Sequence, residues 1–549
     1  MIQGTRIIER TQEAYSYPLL IKQLLHTPII YSPDQEIVYR DTKRFTYRDL
    51  YARIHRLGSG LQAMGVKPGE MIAVLDWDSY RYLECYFAIP NLGAVLHCIN
   101  IRLSPEQILF TMNHAEDTVV LVHEDFLPVM EAIRDQLPSV KKWILMKESD
   151  RDIESPIAFD CEYEEVLARG EETFEFPEFD ENSMATLFYT TGTTGDPKGV
   201  YFSHRQLVLH TMGLMANSGA ASVIRLMSCT DTYMPITPMF HVHAWGMPYA
   251  ATALGLKQVY PGRYEPDLLL KLLLQEKVTI SHCVPTILQM LLVSPEAQRA
   301  DLSGWKVIIG GSAFPRGLAS AAMDQGVEVF AGFGMSETCP LLTLTNFKPD
   351  KMKADREYQL DIRTSAGLPV PLVDLRVVDP HMNPQPRDGR STGEIVVRAP
   401  WLTQSYFKNP DKGAELWSGG YLHTGDVAYL DPEGYLKITD RIKDVIKTGG
   451  EWVSSLELES LISQHPAVSE VAVVGVPDEK WGERPLAMIT PVSGSPEDFP
   501  EEEVKAWLMR FVEDGTISKY WIPDRIVLVE DIPKTSVGKL DKKVIRQNV

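Results

Sequence analysis

The segment FYTTGTTGDPKGVYFSH, residues 188–204, gathers threonines, glycines, one proline and one lysine into a single short loop. Those residue types suit a phosphate. Gly192, Gly195 and Gly199 permit a backbone in which N–H groups approach phosphate oxygens. Thr190, Thr191, Thr193 and Thr194 add hydroxyl donors, and Lys198 adds a mobile positive charge. The loop is not the P-loop of kinases and ATPases, which reads G-x-x-x-x-G-K-[ST]. Here Lys198 follows Pro197 and precedes Gly199. A second pattern, His241 and His243 in FHVHAW, has a spacing that could bind metal, but no further ligand cluster accompanies it.

The elements that must position these groups alternate in type, which predicts α/β architecture. EMIAVLD and TVVLVHEDF predict buried strands, and FTYRDLYARIHRLGSGLQAMG predicts an amphipathic helix closed by Gly65. WKVIIGGSAFP and VEVFAGFGMSE share one arrangement, an apolar run ending in glycine and small polar residues. In open α/β sheets, ligands sit at such carboxyl ends of strands. LLLKLLLQ, residues 268–275, is too short for a membrane span and predicts a buried helix. The acidic stretches at 162–181 and 495–503 are expected to be solvated. A boundary falls in DRIKD, residues 440–444, so domains are expected at 1–440 and 441–549. The second unit, about 105 residues, suits a small α/β domain. It contains the turn TGGEW, the helix SSLELESLISQH and the strand VSEVAVVGVP, and ends with IPKTSVGKLDKK.

A chain of 549 residues exceeds what one core supports, and 44% hydrophobic with 23% charged residues is an ordinary globular composition. A net charge of −20 argues against nucleic acid, whose binding rests on neutralising phosphates. The six cysteines (Cys85, Cys98, Cys161, Cys229, Cys283, Cys339) include no C-x-x-C pair, so they read as small buried hydrophobes. The first twenty residues carry charges where a signal peptide needs an apolar core. A reducing, cytoplasmic setting without an integral membrane segment is expected.

YTTGTTGDPKG, GFGMSET, YLHTGD, DRIKDVIKTGGEWVSS and PKTSVGK occur in this order over nearly the whole chain. Together they resemble the AMP-forming adenylate synthetases: acyl-CoA synthetases, luciferases and peptide-synthetase adenylation domains. TPMFHVHAWGMPYAA and GGSAFPR resemble fatty-acyl-CoA synthetases most. The resemblance implies a large multi-subdomain N-terminal domain and a small mobile C-terminal α/β domain. It implies a two-step reaction: a carboxylate attacks the α-phosphate of ATP and expels pyrophosphate, then the CoA thiol displaces AMP from the acyl-adenylate. It allows a homodimer.

The same resemblance implies a set of roles. The threonine and glycine loop with Lys198 would hold the departing pyrophosphate while charge develops on it. Gly311, Ser312 and Ala313, with Gly332, Phe333, Gly334, Met335, Ser336 and Thr338, would surround AMP, the glycines lying flat under adenine. Phe333 and Ser336 stand where the family usually has Tyr and Thr. Glu337 would hold Mg²⁺, for which a carboxylate is a suitable hard ligand. Asp426 and Arg441 would hold the ribose hydroxyls. Lys539 would reach in during adenylation and offset the repulsion between carboxylate and α-phosphate. Lys443 would be the hinge on which the small domain swings away. Lys447, Gly449, Gly450, Glu451 and Trp452 would then line the CoA path, with Lys447 near the reacting carboxyl.

His241 matches the carboxylate end of the acyl pocket, and Trp245 an aromatic that gates the tunnel in some members. Amino-acid-activating members carry Asp where this chain has His241, which disfavours an amino acid. Acetyl-CoA synthetases close their pocket with Trp where this chain has Gly334 and Met335, so a deeper pocket is expected. An apolar pocket gains about 0.8 kcal/mol per buried methylene. Medium or long acyl chains fit that expectation, with a branched, cyclic or aromatic acid as the alternative. An adenylation module feeding a separate carrier protein is a second reading, since no carrier segment follows. A luciferase-like oxygenase lacks its S-K-L ending here, and a nucleotide-binding regulator would not need Lys198, Glu337, Asp426, Arg441 and Lys539 together.

Overall fold

The structure, a computed structural model, describes every residue except 1–5, 149–150, 191–196, 220–222, 352–353, 449–450, 493–498, 500 and 536–538. For 451 and 452 it describes the backbone alone. The predicted α/β alternation is realised as four sheets.

A seven-stranded sheet is parallel from Cys161–Glu162 through Val95–Cys98 to β1 (Met184–Thr190), and ends in the antiparallel β2 (Lys198–Ser203). Helix α1 (His204–Gly219) follows directly. A nine-stranded sheet has a parallel centre that includes β3 (Lys306–Ile309) and β4 (Glu328–Gly334), with antiparallel strands at both edges. One continuous apolar core joins the two, with Val74, Leu121 and Phe202 from the first sheet and Tyr233, Ile280 and Phe330 from the second. The helix Tyr80–Asn91 lies inside it, buried at every position. Its Glu84 carboxylate accepts from Arg53 Nε and Tyr163 Oη, both at 2.6 Å, so no buried charge is left unsatisfied there.

Local signals act as read. Thr46 and Asp49 cap the helix Tyr47–Ala63 reciprocally, and Gly65 beyond its end has φ +91°, a conformation glycine adopts without a Cβ penalty. Residues 268–275 lie in the helix Pro266–Gln275, with Leu269, Leu270, Leu272 and Leu273 buried. The acidic stretch at 162–181 is largely solvated, as expected, with Glu164, Glu165, Glu171, Glu172, Glu175, Glu178 and Asp180 exposed, yet two of its carboxylates also bind other segments. Glu164 accepts from Arg53, while Glu181 accepts from the Leu19 amide and from Arg205, so both carboxylates pin separate segments.

A five-stranded sheet contains β5 (Tyr421–Leu430) and, paired antiparallel to it, β6 (Leu436–Arg441). The last sheet begins with β7 (Ile446–Thr448) and holds only strands that follow it in the chain. Its apolar residues form clusters of their own, centred on Ile446, Leu458 and Val473 on one face and Val474 and Leu486 on the other. Among the described residues no helix is long and apolar enough to cross a membrane.

Candidate active site

The phosphate-type loop spans two antiparallel neighbours. β1 ends at Thr190, β2 starts at Lys198, and these two residues are register partners, so both ends of the loop are fixed. Thr191, Gly192, Thr193, Thr194 and Gly195 lie outside the described residues. The Lys198 ammonium sits over the ring of Tyr406, 4.8 Å from its centroid. At the other end of that ring the phenol donates to Glu337 Oε1 at 2.7 Å. Glu337 is buried on the short turn Ser336–Thr338 that follows β4.

β3 and β4 are parallel neighbours, so their carboxyl ends emerge side by side. Gly310 and Gly311 after β3, and Gly332 to Ser336 along and beyond β4, line a cleft whose volume, open solvent included, is about 620 Å³. Its other walls are apolar: Leu214 from α1, then Trp245, Met247, Leu341 and Leu344. Two basic groups enter it, His241 and Lys539. Burial first, then the positive charges of Lys539 and Arg102, push His241 down to about 3, so its imidazole is neutral.

Lys539 arrives from the other end of the sequence. The bridge between Lys534 and Leu540 closes the turn that carries it, and Thr535 bonds the Lys539 main chain at both its N–H and its C=O. A Cβ built on Gly311 would lie 3.1 Å from Lys539 Cε, so the lysine stem rests on that glycine. Burial pushes Lys539 down to about 8 and Arg441 adds to this, while Asp426 and Glu337 oppose it. Asp426 is itself buried, and Arg441 Nε donates to its Oδ1 at 3.1 Å. Burial raises the Asp426 carboxyl against the pull of Arg441 and Lys539.

Several expected residues stand elsewhere. Ser312 and Ala313 are exposed next to Gly311 and do not line the cavity. Thr338 is fully buried, and its hydroxyl is engaged within its own turn, with Met335 N and O at 3.0 and 3.1 Å. Lys447 is exposed on β7, its N–H bonded to Glu483 Oε2 at 2.9 Å, outside the cavity. Lys443 follows β6 by two residues. Gly449 and Gly450, and the side chains of Glu451 and Trp452, lie outside what the structure describes.

Two further relations qualify how the expected residues act. A Cβ at Gly334 would fall 1.8 Å from the Pro340 carbonyl oxygen. Glycine is therefore required there by close backbone approach, and the missing side chain does not set the depth of the pocket. The His241–His243 pair also separates. The backbone from Val242 to Gly246 is left-handed throughout, with φ of 49°, 56°, 46°, 59° and 73°. This turn sends His241 and Trp245 to the cavity and buries His243 among the rings of Tyr86, Phe188, Phe202 and Tyr249. Among the described residues no group of three or more His, Cys, Asp or Glu side chains is placed to hold a metal.

Sequence spacing missed Tyr406, which lies 69 residues from Glu337 and in none of the motifs. It also missed the apolar walls Leu214 and Met247 and the charge of Arg102 beside His241. Met247 stands within the segment TPMFHVHAWGMPYAA but is not singled out there, whereas Leu214, Arg102 and Tyr406 meet the site only through the tertiary fold.

The profile of the AMP-binding enzyme family matches residues 31–407, and that of its C-terminal domain matches residues 457–539. The chain belongs to the AMP-binding enzyme family. A long-chain-fatty-acid–CoA ligase of Thermus thermophilus is 41% identical over 522 residues, covering 93% of this chain and 92% of that protein. A 3-methylmercaptopropionyl-CoA ligase of Ruegeria lacuscaerulensis is 40% identical over 539 residues, covering 96% and 97%. Among solved structures, an anthranilate CoA ligase in complex with anthranoyl-AMP superposes with a TM-score of 0.84 at 25% identity, over 97% of this chain and 98% of that one. This member of the family is an AMP-forming acid–thiol ligase, joining a carboxylic acid to CoA through an acyl-adenylate. ATP and CoA are its co-substrates.

Proposed function

We propose that this ligase activates a medium- or long-chain fatty acid. The observation that carries the reading is the cavity itself: Leu214, Trp245, Met247, Leu341 and Leu344 form apolar walls, and its basic groups are His241 and Lys539. An acid lying with its carboxylate at these two groups and its tail against those walls leaves no buried polar group unmatched. The long-chain specificity of the Thermus relative supports the reading, while the short thioether acid of the Ruegeria relative makes a smaller acid the alternative.

In this reading the carboxylate oxygen attacks the α-phosphorus, the bond to the β-phosphate breaks, and pyrophosphate leaves between Lys198 and the threonine-rich loop. The Lys539 ammonium offsets the repulsion between the two anions. The neutral His241 donates a hydrogen bond without adding charge. Asp426 and Arg441 hold the ribose. Glu337 suits Mg²⁺, since one or two carboxylates suffice when substrate phosphates complete the shell, and only its Oε1 is engaged by Tyr406. The bound ion would neutralise charge on the triphosphate. The units 1–440 and 441–549 then rotate about Lys443, carrying Lys539 out and Lys447 with residues 449–452 in. The CoA thiol loses its proton, attacks the acyl carbon and displaces AMP.

A panel of acids from C2 to C18, with cyclic and aromatic acids, scored by CoA-dependent AMP release, tests the substrate. We expect kcat/KM to rise with chain length beyond C6. A maximum at C2 to C4 or on an aromatic acid overturns the fatty-acid reading.

A further inference from the structure

We propose that Tyr406 is a positioning residue for the metal–nucleotide site, holding Glu337 and Lys198 apart so that both stay free to meet the triphosphate. The inference rests on the reading of Glu337 as the Mg²⁺ ligand. One side chain touches both groups: its phenol donates to Glu337 Oε1 at 2.7 Å, and its ring face receives the Lys198 ammonium at 4.8 Å. A charge-assisted hydrogen bond and a cation–π contact thus act through a single ring. Among the described residues Lys198 and Glu337 form no ion pair with each other, although the same ring brings them into one small space.

The ring is itself held in place. The Thr403 amide donates to the Glu337 carbonyl at 2.9 Å, and the Phe407 amide donates to the Gly199 carbonyl at 2.8 Å. Thr403 Oγ1 donates to the Tyr201 carbonyl at 3.1 Å. Residues 403–407 therefore tie the strand beginning at Lys198 to the turn carrying Glu337, through the main chain at both ends. Tyr406 sits inside that strap and is almost fully buried.

Two consequences follow for the carboxylate. With Oε1 engaged, the rotamer is fixed and Oε2 remains for a cation. With the ammonium resting on the ring face, Lys198 has a contact that competes with pairing to that carboxylate. Such an ion pair would neutralise both groups, and MgATP would have to break it before binding. Tyr406→Phe keeps the ring and removes the donor, so the carboxylate becomes free to rotate. Tyr406→Leu removes both.

The test is calorimetric titration of ATP into the protein at a series of MgCl₂ concentrations, with melting temperatures recorded for each variant. For Tyr406→Phe we expect the Mg²⁺ concentration giving half-maximal ATP affinity to rise about tenfold, the equivalent of one charge-assisted hydrogen bond. For Tyr406→Leu we expect a larger rise, together with weaker metal-free ATP binding as Lys198 is captured by Glu337. Thr403→Val loosens the strap that holds the ring but keeps the phenol donor, so it should raise the half-point by less than Tyr406→Phe does. If Tyr406→Phe keeps the wild-type half-point, or Thr403→Val shifts it equally, the proposal is overturned. Glu337→Gln separates the two levels: if it titrates with Mg²⁺ as wild type does, the metal-ligand reading of Glu337 fails. If it loses the dependence while Tyr406→Phe keeps it, only the role of Tyr406 fails.

Discussion

Asp426 and Arg441 are register partners on adjacent antiparallel strands and are bonded side chain to side chain, Arg441 Nε to Asp426 Oδ1 at 3.1 Å. Oδ1 is therefore occupied before any ligand arrives, and in the proposed mechanism Oδ2 is the oxygen left for a ribose hydroxyl. Asp426→Asn replaces one acceptor by a donor and removes the charge. Hydrogen bonds to charged groups contribute about 1.5–3 kcal/mol, so KM for ATP should rise roughly 10- to 100-fold. KM for the acid should stay near wild type. Steady-state kinetics with each substrate varied in turn decides it, and an unchanged KM for ATP removes Asp426 from the ribose site.

In the proposed mechanism Lys539 separates the two half-reactions. Lys539→Ala should lower acid-dependent pyrophosphate exchange by about 10²- to 10³-fold, the scale of one lost electrostatic stabiliser of the transition state. Thioester formation from supplied acyl-adenylate and CoA should persist. Lys443→Pro should do the reverse, sparing exchange and slowing thioester formation. Equal loss of both steps in either variant contradicts the corresponding assignment.

The pH dependence of adenylation follows from the same lysine. Lys539 is held at about 8, below the ordinary lysine value, chiefly by burial. Its ammonium is present below that pH and is lost above it. The kcat/KM of pyrophosphate exchange, which reports the free enzyme, should therefore fall as pH rises from 7 to 9, approaching tenfold per unit. Thioester formation from supplied adenylate should not share the fall. Lys539→Arg keeps its charge throughout, and its residual exchange rate should be flat over the same range.

Asp78 predicts a pH dependence of stability. Burial raises it to about 7, although Tyr264 Oη and the Met239 amide donate to its oxygens at 2.5 and 2.8 Å. The unfolded chain ionises it near the ordinary carboxylate value, whereas the folded chain keeps its proton until about pH 7. Its contribution to stability is therefore complete in acid and lost as pH rises through that window, by about 4 kcal/mol in all. Denaturant unfolding of Asp78→Asn should flatten the decline between about pH 4 and pH 7. A wild-type slope retained in the variant assigns the decline to other groups.

Strands, helices and the order of the five motifs were legible in the sequence because each is a local pattern with its own period or spacing. The helix at Tyr47–Ala63 announces its cap and its closing glycine, and β3 and β4 announce their glycine-rich ends. Relations across the fold carried no such mark. Nothing near Glu337 signals a phenol 69 residues away, and nothing in GFGMSET signals that Gly334 is demanded by the Pro340 carbonyl. The left-handed run at 242–246 was equally silent, because Val, His, Ala and Trp do not favour that conformation. The convergence of Lys539 with His241 was legible only through the family resemblance, since in sequence the lysine looks like part of a basic tail.

That left-handed run also governs how the protein could be altered in the laboratory. Each of its four non-glycine residues gives up about 1–2 kcal/mol to hold its backbone, a deficit that the packing of His243 and Trp245 must offset. A library randomising 242–245 would thus be dominated by misfolded clones, with glycine and asparagine enriched among the survivors. Variation at Leu214, Met247 and Leu341, on ordinary helix and strand, changes the same cavity without disturbing that balance. A new acid preference is more accessible to evolution from those walls than from the turn that carries His241 and Trp245.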